Sequence, residues 1–226
     1  MLLEIACFTP ESVTIAASAG ADRIEFCDDA DTGGLTPSID DFIELKKSVT
    51  VPLFVMLRPR AGDFVYTEEE VDQLYLELET FAYYEADGFV FGALDAAGMP
   101  DTDACRTLVS AANGIPCTFH RAFDEVSDWK TAMDTIISCG FSRILTSGKP
   151  GSAPQNAALL SEMQEYTAGR IIVLPGGGVR SSNITQLDHS VFSEFHSSAI
   201  TATSNGRPDP QEISRLKAAL SPFPVI

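Results

Sequence analysis

The chain has 226 residues, of which 45% are hydrophobic and 21% charged, and 32 acidic against 15 basic residues give a formal net charge of -17. Such a composition belongs to a globular protein with a large core, and its negative field repels phosphate backbones and anionic lipids. We therefore expect no nucleic acid and no membrane as partner. The start, MLLEIACFTP, has no basic leader region, and the five cysteines lack CxxC spacing. These features predict a cytoplasmic protein with reduced thiols.

Eight short runs rich in β-branched and aromatic residues predict strands, and the segments between them show helical periodicity. Thr9-Pro10 predicts the start of the first helix, Thr67 and Glu70 form a capping box, and Gly140 is placed to end a helix that starts at Ser127. The SSNI segment at 181–184 predicts one more helix start. The predicted strands cover residues 2–7, 23–27, 53–58, 88–92, 116–121, 143–147, 170–175 and 191–198.

Strands that alternate with helices are typical of βα units, whose parallel strands need helical crossovers. The phrases AGADRIEFC and CGFSRILTSG also resemble each other, with Gly20 and Gly140 about half the chain apart. We therefore predict an α/β fold that is a closed parallel (β/α)8 barrel of the TIM type, with an open doubly wound sheet as the alternative. We expect residues 1–226 to form a single domain, with the barrel core at about 2–200 and a C-terminal helix and tail at 201–226.

Within these strands the polar side chains share one parity and the apolar ones the other, which predicts a polar barrel interior. Folding does not require charge there, and such barrels carry their active sites where the strands end. The alternative is a satisfied ion-pair network of glutamates with Arg58. The inward set is predicted to be Glu4, Ala6, Glu25, Cys27, Met56, Arg58, Thr118, His120, Thr146, Glu194 and His196.

His120 lies in TFHRAFD and could act as a general acid or base, oriented by Asp124 or a glutamate. A Schiff-base mechanism is not favoured, because all five lysines fall in predicted helices or loops. The candidate catalytic residues are Glu4, Glu25, Arg58, His120, Arg121, Asp124, Glu194 and His196.

Glycine-rich loops follow the later strands, at the position where barrels of this type often hold phosphate. Their free backbone amides would form an anion cradle, although a tight strand-to-helix turn would need the same glycines. The candidate anion-binding residues are Ser147, Gly148, Gly176, Gly177, Gly178, Ser197 and Ser198.

Cys27 is the one thiol with inward parity, and with Met56 or His120 it could hold Cu(I), which prefers soft ligands. The alternative is an inert buried thiol. The same carboxylates and histidines could instead hold a hard divalent cation such as Ca²⁺, Mg²⁺ or Mn²⁺. No nucleotide cofactor is indicated.

Several phrases together resemble the CutC copper-homeostasis family: GADRIEFC, GGLTPS, RPRAGDF, TFHRAFD, RILTSG, PGGGV and EFHSSA. The resemblance implies a parallel α/β barrel, a cytoplasmic location, self-association as a dimer or tetramer, and a role in copper handling, with Cu(I) bound through cysteine. The chain departs from the family pattern at Ala6, where a cysteine is usual, and at Ala61, where a glycine is usual.

Two functions follow from these observations. The first is a copper-homeostasis protein that binds Cu(I), in which Ala6 removes one of two expected thiols. The second is an isomerase-like or lyase-like enzyme that transfers a proton on a small anionic or phosphorylated metabolite, with Arg58 and the glycine loop holding the anion.

Overall fold

The computed structural model describes residues 1–221, and eight parallel strands form its centre in the order β7-β6-β5-β4-β3-β2-β1-β8. Residues 222–226, the end of the predicted tail, lie outside the described part. The strands β7 and β8 lie side by side at the ends of this order. The sheet therefore curls into a nearly closed barrel, which confirms the predicted fold class. The strands are β1 (Leu2–Cys7), β2 (Arg23–Phe26), β3 (Leu53–Met56), β4 (Gly88–Phe91), β5 (Cys117–Phe119), β6 (Arg143–Thr146), β7 (Ile172–Pro175) and β8 (Glu194–Ser197).

Helices cover the outside of the barrel and connect successive strands from β1 to β7, and the last helix follows β8. The Thr67–Glu70 capping box is present, and Gly140 ends its helix with a left-handed φ of 94°. Gly140 accepts this conformation because it has no Cβ. The helices are α1 (Pro10–Ser18), α2 (Ile39–Lys46), α3 (Glu68–Tyr83), α4 (Thr102–Ala111), α5 (Trp129–Cys139), α6 (Ala157–Thr167) and α7 (Pro210–Leu220).

The predicted helix start at 181–184 is wrong, because the described chain between β7 and β8 contains one 3₁₀ turn, Ile184–Gln186, and no α-helix. Side-chain oxygens accept hydrogen bonds from the backbone amides that would otherwise begin a helix there. The Asn183 amide oxygen accepts from the Arg180 amide at 2.8 Å, and Glu212 of α7 accepts from the Ser181 amide at 2.6 Å. The loop after β7 therefore stays irregular and lies beside the barrel mouth.

Two apolar compartments are separated by the strands. The larger one lies between strands and helices and contains Leu3, Ile5 and Cys7, whereas a small inner cluster contains Cys27, Phe54, Met56 and Val90. The predicted alternation is thus confirmed for the early strands. The interior is tightly filled, since a Cβ on Gly88 would lie 2.4 Å from the Phe54 ring.

On β6 the predicted parity is wrong. Leu145 lines the cavity at the barrel mouth, whereas Ile144 packs in the outer core, and Thr146 shares the parity of Ile144. The Thr146 hydroxyl donates to Asp124, a polar partner in the loop after β5. That bond allows a buried hydroxyl to face away from the barrel interior.

No helix within residues 1–221 is both long enough and apolar enough to span a bilayer.

Candidate active site

A cavity of about 270 Å³ opens where the strands end. It is small compared with the roughly 300–1,000 Å³ of sites for drug-sized ligands. A larger groove of about 620 Å³ lies on the outer surface beside α2 and α3 and includes no strand-end residue. The predicted site residues that line the mouth cavity are Glu25, Met56, Arg58, His120, Arg121, Gly177, Gly178, His196, Ser197 and Ser198.

At the floor of this cavity His196 lies between two glutamates. Its Nδ1 donates to Glu4 at 2.7 Å, and its Nε2 lies 3.7 Å from a carboxylate oxygen of Glu25. The other Glu25 oxygen, Oε1, is buried and has no hydrogen-bond partner among the described residues. Register explains the grouping, because Glu4 is level with His196 on β8 and Ala6 is level with Glu25 on β2.

The two glutamates have opposite pKa shifts. Burial alone would raise both, but Arg23 and His196 outweigh it at Glu4 and lower that pKa to about 2. At Glu25 burial dominates and raises the pKa to about 7. Burial lowers the pKa of His196, yet the neighbouring Glu25 and Glu4 carboxylates outweigh it and raise that pKa overall. The protonation of Glu25 is therefore coupled to that of His196.

Beneath this floor lies a network of buried ion pairs. Arg23 pairs with Glu4 and donates to Glu194 at 2.6 Å, and Arg143 donates to the same Glu194 oxygen at 2.8 Å. Both guanidinium groups also stack over the Phe54 ring, 4.8 and 5.5 Å from its centroid. Neither Glu4 nor Glu194 lines the cavity. The glutamates are thus satisfied by Arg23 and Arg143, which the sequence analysis did not single out, and not by Arg58.

Arg58 approaches the cavity from the end of β3 as a buried cation. Its guanidinium donates to the carbonyls of Thr32 at 2.8 Å and Gly62 at 2.9 Å, and it lies 4.7 Å from the centroid of the Phe64 ring. Its Nε is buried and has no partner within residues 1–221. Carbonyl dipoles and an aromatic face hold the charge in place without neutralising it.

His120, at the end of β5, is held as a neutral imidazole. Its Nδ1 accepts from the Ala122 amide at 3.3 Å, so the ring proton is on Nε2. Burial and the nearby Arg58 charge lower its pKa to about 3. Nε2 is buried and has no partner in the described part of the chain. The His120 ring therefore offers one unused N–H donor beside the cavity.

Asp124 does not orient His120 as predicted. Its carboxylate accepts from Ser147 Oγ at 2.8 Å and from Arg121 Nε at 2.9 Å, and it also binds Thr146. Arg121 in addition donates to Ser147 Oγ at 3.2 Å. Asp124 thus orients Arg121 toward the cavity, while the polar atoms of Ser147 are already bonded within the protein.

A third arginine, Arg180, lies in the loop after β7 and was not predicted. Its guanidinium donates to Ser197 Oγ and Ser198 Oγ, each at 3.2 Å. Burial lowers its pKa despite the nearby Glu212. Gly177 and Gly178 line the cavity beside it with positive φ values of 92° and 73°. Arg180 thus places a partly desolvated cation next to the predicted anion-binding loop.

The other two predicted anion-binding glycines are not part of the cavity lining. The Gly148 amide donates to Thr146 Oγ1 at 2.8 Å, and the Gly176 amide donates to the Thr146 carbonyl at 2.9 Å. Gly176 is also required sterically, since its Cβ would lie 2.4 Å from Leu145. For these two glycines the tight-turn alternative describes the structure.

Cys27 is buried beside Met56, and a Cβ on Gly34 would lie within 3.5 Å of both side chains. Ala6 lines the cavity at the position where the family pattern has cysteine, while Cys7 packs in the outer core. Burial and the nearby Glu25 raise the pKa of the Cys27 thiol well above its ordinary value. The inner cluster therefore contains one buried thiol, which does not line the cavity, and one thioether, which does.

Glu4, Glu25 and His196 each offer an atom within 4.8 Å of the others, so they form a cluster that could hold a metal ion. Glu4, however, already accepts from Arg23 and from His196. A divalent ion would have to compete with the Arg23 cation for that carboxylate. The cluster therefore fits proton transfer better than metal binding.

The chain is thus a parallel α/β barrel of the TIM type with a polar cavity where its strands end. The CutC family profile matches residues 1–201, and the chain belongs to this family.

Relatives of known name support the assignment. The chain is 41% identical to the human copper homeostasis protein cutC homolog over 91% of this chain and 76% of that protein. It is 40% identical to the Caenorhabditis elegans homolog of the same name over 97% and 95%. The crystal structure of CutC from Streptococcus agalactiae superimposes with a TM-score of 0.83 at 31% identity, covering 89% of this chain and all of that one.

Proposed function

We propose that the chain serves copper homeostasis, as the names of its relatives state for them, and that its barrel mouth binds a small anionic or phosphorylated metabolite and transfers a proton on it. One observation carries the molecular part of this proposal. Arg58, Arg121 and Arg180 come from three different loops and line one cavity of about 270 Å³.

The charge distribution supports an anionic ligand. The chain has a formal net charge of -17, yet three guanidinium groups surround its mouth cavity. Only Arg121 pairs with a carboxylate in the described residues, while Arg58 and Arg180 bond to carbonyls and hydroxyls. Desolvated cations that lack a carboxylate partner bind an anion strongly, because little of their charge is neutralised beforehand.

The floor supports proton transfer. Glu25 has a buried carboxylate oxygen without a hydrogen-bond partner among residues 1–221, and His196 lies 3.7 Å from its other oxygen. A proton taken up by Glu25 can pass to His196, whose cationic form is stabilised by Glu4. The carboxyl–imidazole pair thus provides both a base and a store for the proton. The apolar wall formed by Phe8, Phe64 and Leu145 fits the carbon part of a metabolite.

Anion binding is tested by titrating inorganic phosphate and 2-phosphoglycolate into the protein, with thermal shift and calorimetry as readouts. We expect both compounds to raise the Tm of the protein. Arg180→Gln should weaken their binding about tenfold, which corresponds to the free energy of one charge-assisted hydrogen bond. The matched control is Arg170→Gln, because Arg170 is an exposed arginine paired with Asp134. Equal affinity in wild type and Arg180→Gln, or no binding at all, would refute the proposed site.

A second candidate is Cu(I) binding at Cys27. The observation in its favour is the Met56 thioether beside this thiol within the inner cluster, since thiolate and thioether are soft ligands that suit Cu(I). Ala6 and the raised Cys27 pKa count against it. Cu(I) titration under reducing conditions should show weak uptake that does not change in Cys27→Ala. Tight Cu(I) uptake that is lost in this variant, but kept in Cys117→Ala, would establish direct copper binding at Cys27.

We further propose a cytoplasmic location and self-association as a dimer or tetramer, both of which follow from the resemblance to the family. Light scattering of the purified protein tests the second. A monomer at all concentrations would contradict it.

A further inference from the structure

Resting on the proposed function, we infer that the bound metabolite is a carbonyl compound, whose oxygen accepts the Nε2–H of neutral His120 while Glu25 removes a proton from the adjacent carbon. The starting observation is the unused Nε2 donor. It is buried, belongs to a residue that lines the cavity, and has no partner within residues 1–221. A buried donor without a partner is costly unless a ligand or water completes it.

The surroundings of His120 fix both its proton and its orientation. The Ala122 amide occupies Nδ1, and the Phe64 ring packs edge-on at 4.8 Å. Gly92 makes room for the imidazole, since a Cβ there would lie 2.8 Å from Nδ1. The ring thus cannot turn its other nitrogen toward the cavity without losing the Ala122 bond. It is a donor fixed in advance, which is the property needed to stabilise an oxygen that gains negative charge.

A carboxylate base with one unpartnered oxygen lies in the same cavity. Glu25 Oε1 and His120 Nε2 are both buried and unpartnered in the described chain, and both residues line the mouth. The Glu25 oxygen is a free acceptor and the His120 N–H is a free donor. Together they fit a substrate that presents a C–H bond to Glu25 and an oxygen to His120. Neutral imidazole acts as the electrophile and carboxylate as the base in enolisation.

The step is balanced without a further reactant. Glu25 takes the proton from the carbon next to the carbonyl, and the C–H electron pair forms the new C=C bond. The carbonyl π pair moves to oxygen, which the His120 N–H stabilises as an enolate. If the proton on Glu25 is replaced from solvent before it returns to the same carbon, the result is hydrogen exchange. If that carbon carries a hydroxyl group, transfer of the hydroxyl proton to the enolate oxygen and delivery of the Glu25 proton to the former carbonyl carbon give isomerisation. The arginines hold the anionic group of the substrate throughout.

The test compares two phosphates that differ in one group, dihydroxyacetone phosphate with its ketone and glycerol 3-phosphate with an alcohol. We expect wild type to bind the ketone roughly fivefold more tightly, which is the value of one hydrogen bond. His120→Phe keeps the aromatic packing but lacks the donor, so the preference should disappear. His120→Gln retains an N–H donor and should restore part of it, and His189→Gln is the control outside the cavity.

Two further measurements address the chemistry. In D₂O, wild type should exchange the carbon-bound protons of dihydroxyacetone phosphate, and Glu25→Gln prepared in the same way should not, which also controls for contaminating isomerases. Nitrogen NMR should show His120 as the neutral Nε2–H form from about pH 5.5 to 8.5. Equal binding of the two phosphates, or a His120 that titrates near its ordinary pKa, would overturn the carbonyl assignment alone. Failure of both phosphates to bind would overturn the proposed function itself.

Discussion

Replacing Glu25 by glutamine should stabilise the protein in alkaline solution. Burial raises the pKa of Glu25 from its ordinary 4.5 to about 7, so the folded protein holds this proton more tightly than the unfolded chain. The stability that this proton provides is complete below pH 4.5 and is lost as the pH rises through about 7. Glutamine remains neutral and does not undergo this loss.

The magnitude follows from the two pKa values. A rise from 4.5 to about 7 corresponds to about 3 kcal/mol at about 1.4 kcal/mol for each tenfold change in the dissociation constant. Part of this is offset, because His196 loses an anionic neighbour when Glu25 becomes glutamine. We expect a net gain of about 1–2 kcal/mol at about pH 8.5, or roughly 2–8 °C in Tm for a chain of this size.

The assay is calorimetry of wild type and Glu25→Gln at about pH 5 and about pH 8.5. Glu194→Gln is the matched control, since Glu194 is a buried carboxylate whose charge is compensated by Arg23 and Arg143. That variant should lose about 3–5 kcal/mol at both pH values because it leaves a buried cation unpaired. Equal destabilisation by Glu25→Gln at both pH values would refute the reasoning.

Other predictions concern the interior of the barrel. Gly88→Ala should lower the free energy of unfolding by about 1–3 kcal/mol, because the added Cβ meets the Phe54 ring at 2.4 Å; urea denaturation measures this, and an unchanged midpoint contradicts it. Glu4, with its pKa lowered from 4.5 to about 2 beside Arg23, contributes stability above pH 4.5 that is lost as the pH falls toward 2. Glu4→Gln should therefore flatten the acid limb of the stability profile, and an unaltered limb counts against this role. The thiol of Cys27 should resist neutral thiol reagents in the native protein, whereas a fast-labelled thiol absent from Cys27→Ala would disprove it.

The fold could be predicted because its physical cause is local. Apolar runs bounded by glycine and helix caps such as Thr67 are visible in the sequence, and eight repeats leave few topologies open. The helix start predicted at 181–184 was wrong because side chains accept the hydrogen bonds of the backbone amides there. One of them, Glu212, lies about thirty residues further along the chain, and propensity carries no information about such a partner.

The candidate site was predictable where strand parity determines it. Glu25, Arg58, His120 and His196 reach one cavity as their alternation predicted. Arg23 could have been found by the same rule, since it precedes Glu25 by two residues and so shares its face. Arg143 is not predicted as inward because the sequence pattern predicts Thr146, and not Leu145, as the inward residue of β6.

Strand parity could not predict which loop residues reach the site. Arg180 lies in an irregular loop, and nothing in its spacing shows that Ser197 and Ser198 will meet its guanidinium. Asp124 does not line the cavity, and its pairing with Arg121 depends on the 3₁₀ turn Arg121–Glu125, which strand parity does not predict. Division of the chain into one domain of 226 residues stays a prediction.

A crystal structure of the protein soaked in 2-phosphoglycolate tests the anion site most directly. The phosphate should lie within hydrogen-bond distance of Arg180 and the Gly177–Gly178 backbone, with the carboxylate end toward Arg58 and His120. A mouth cavity that contains only water at saturating ligand, or ligand bound solely elsewhere on the surface, would contradict the account.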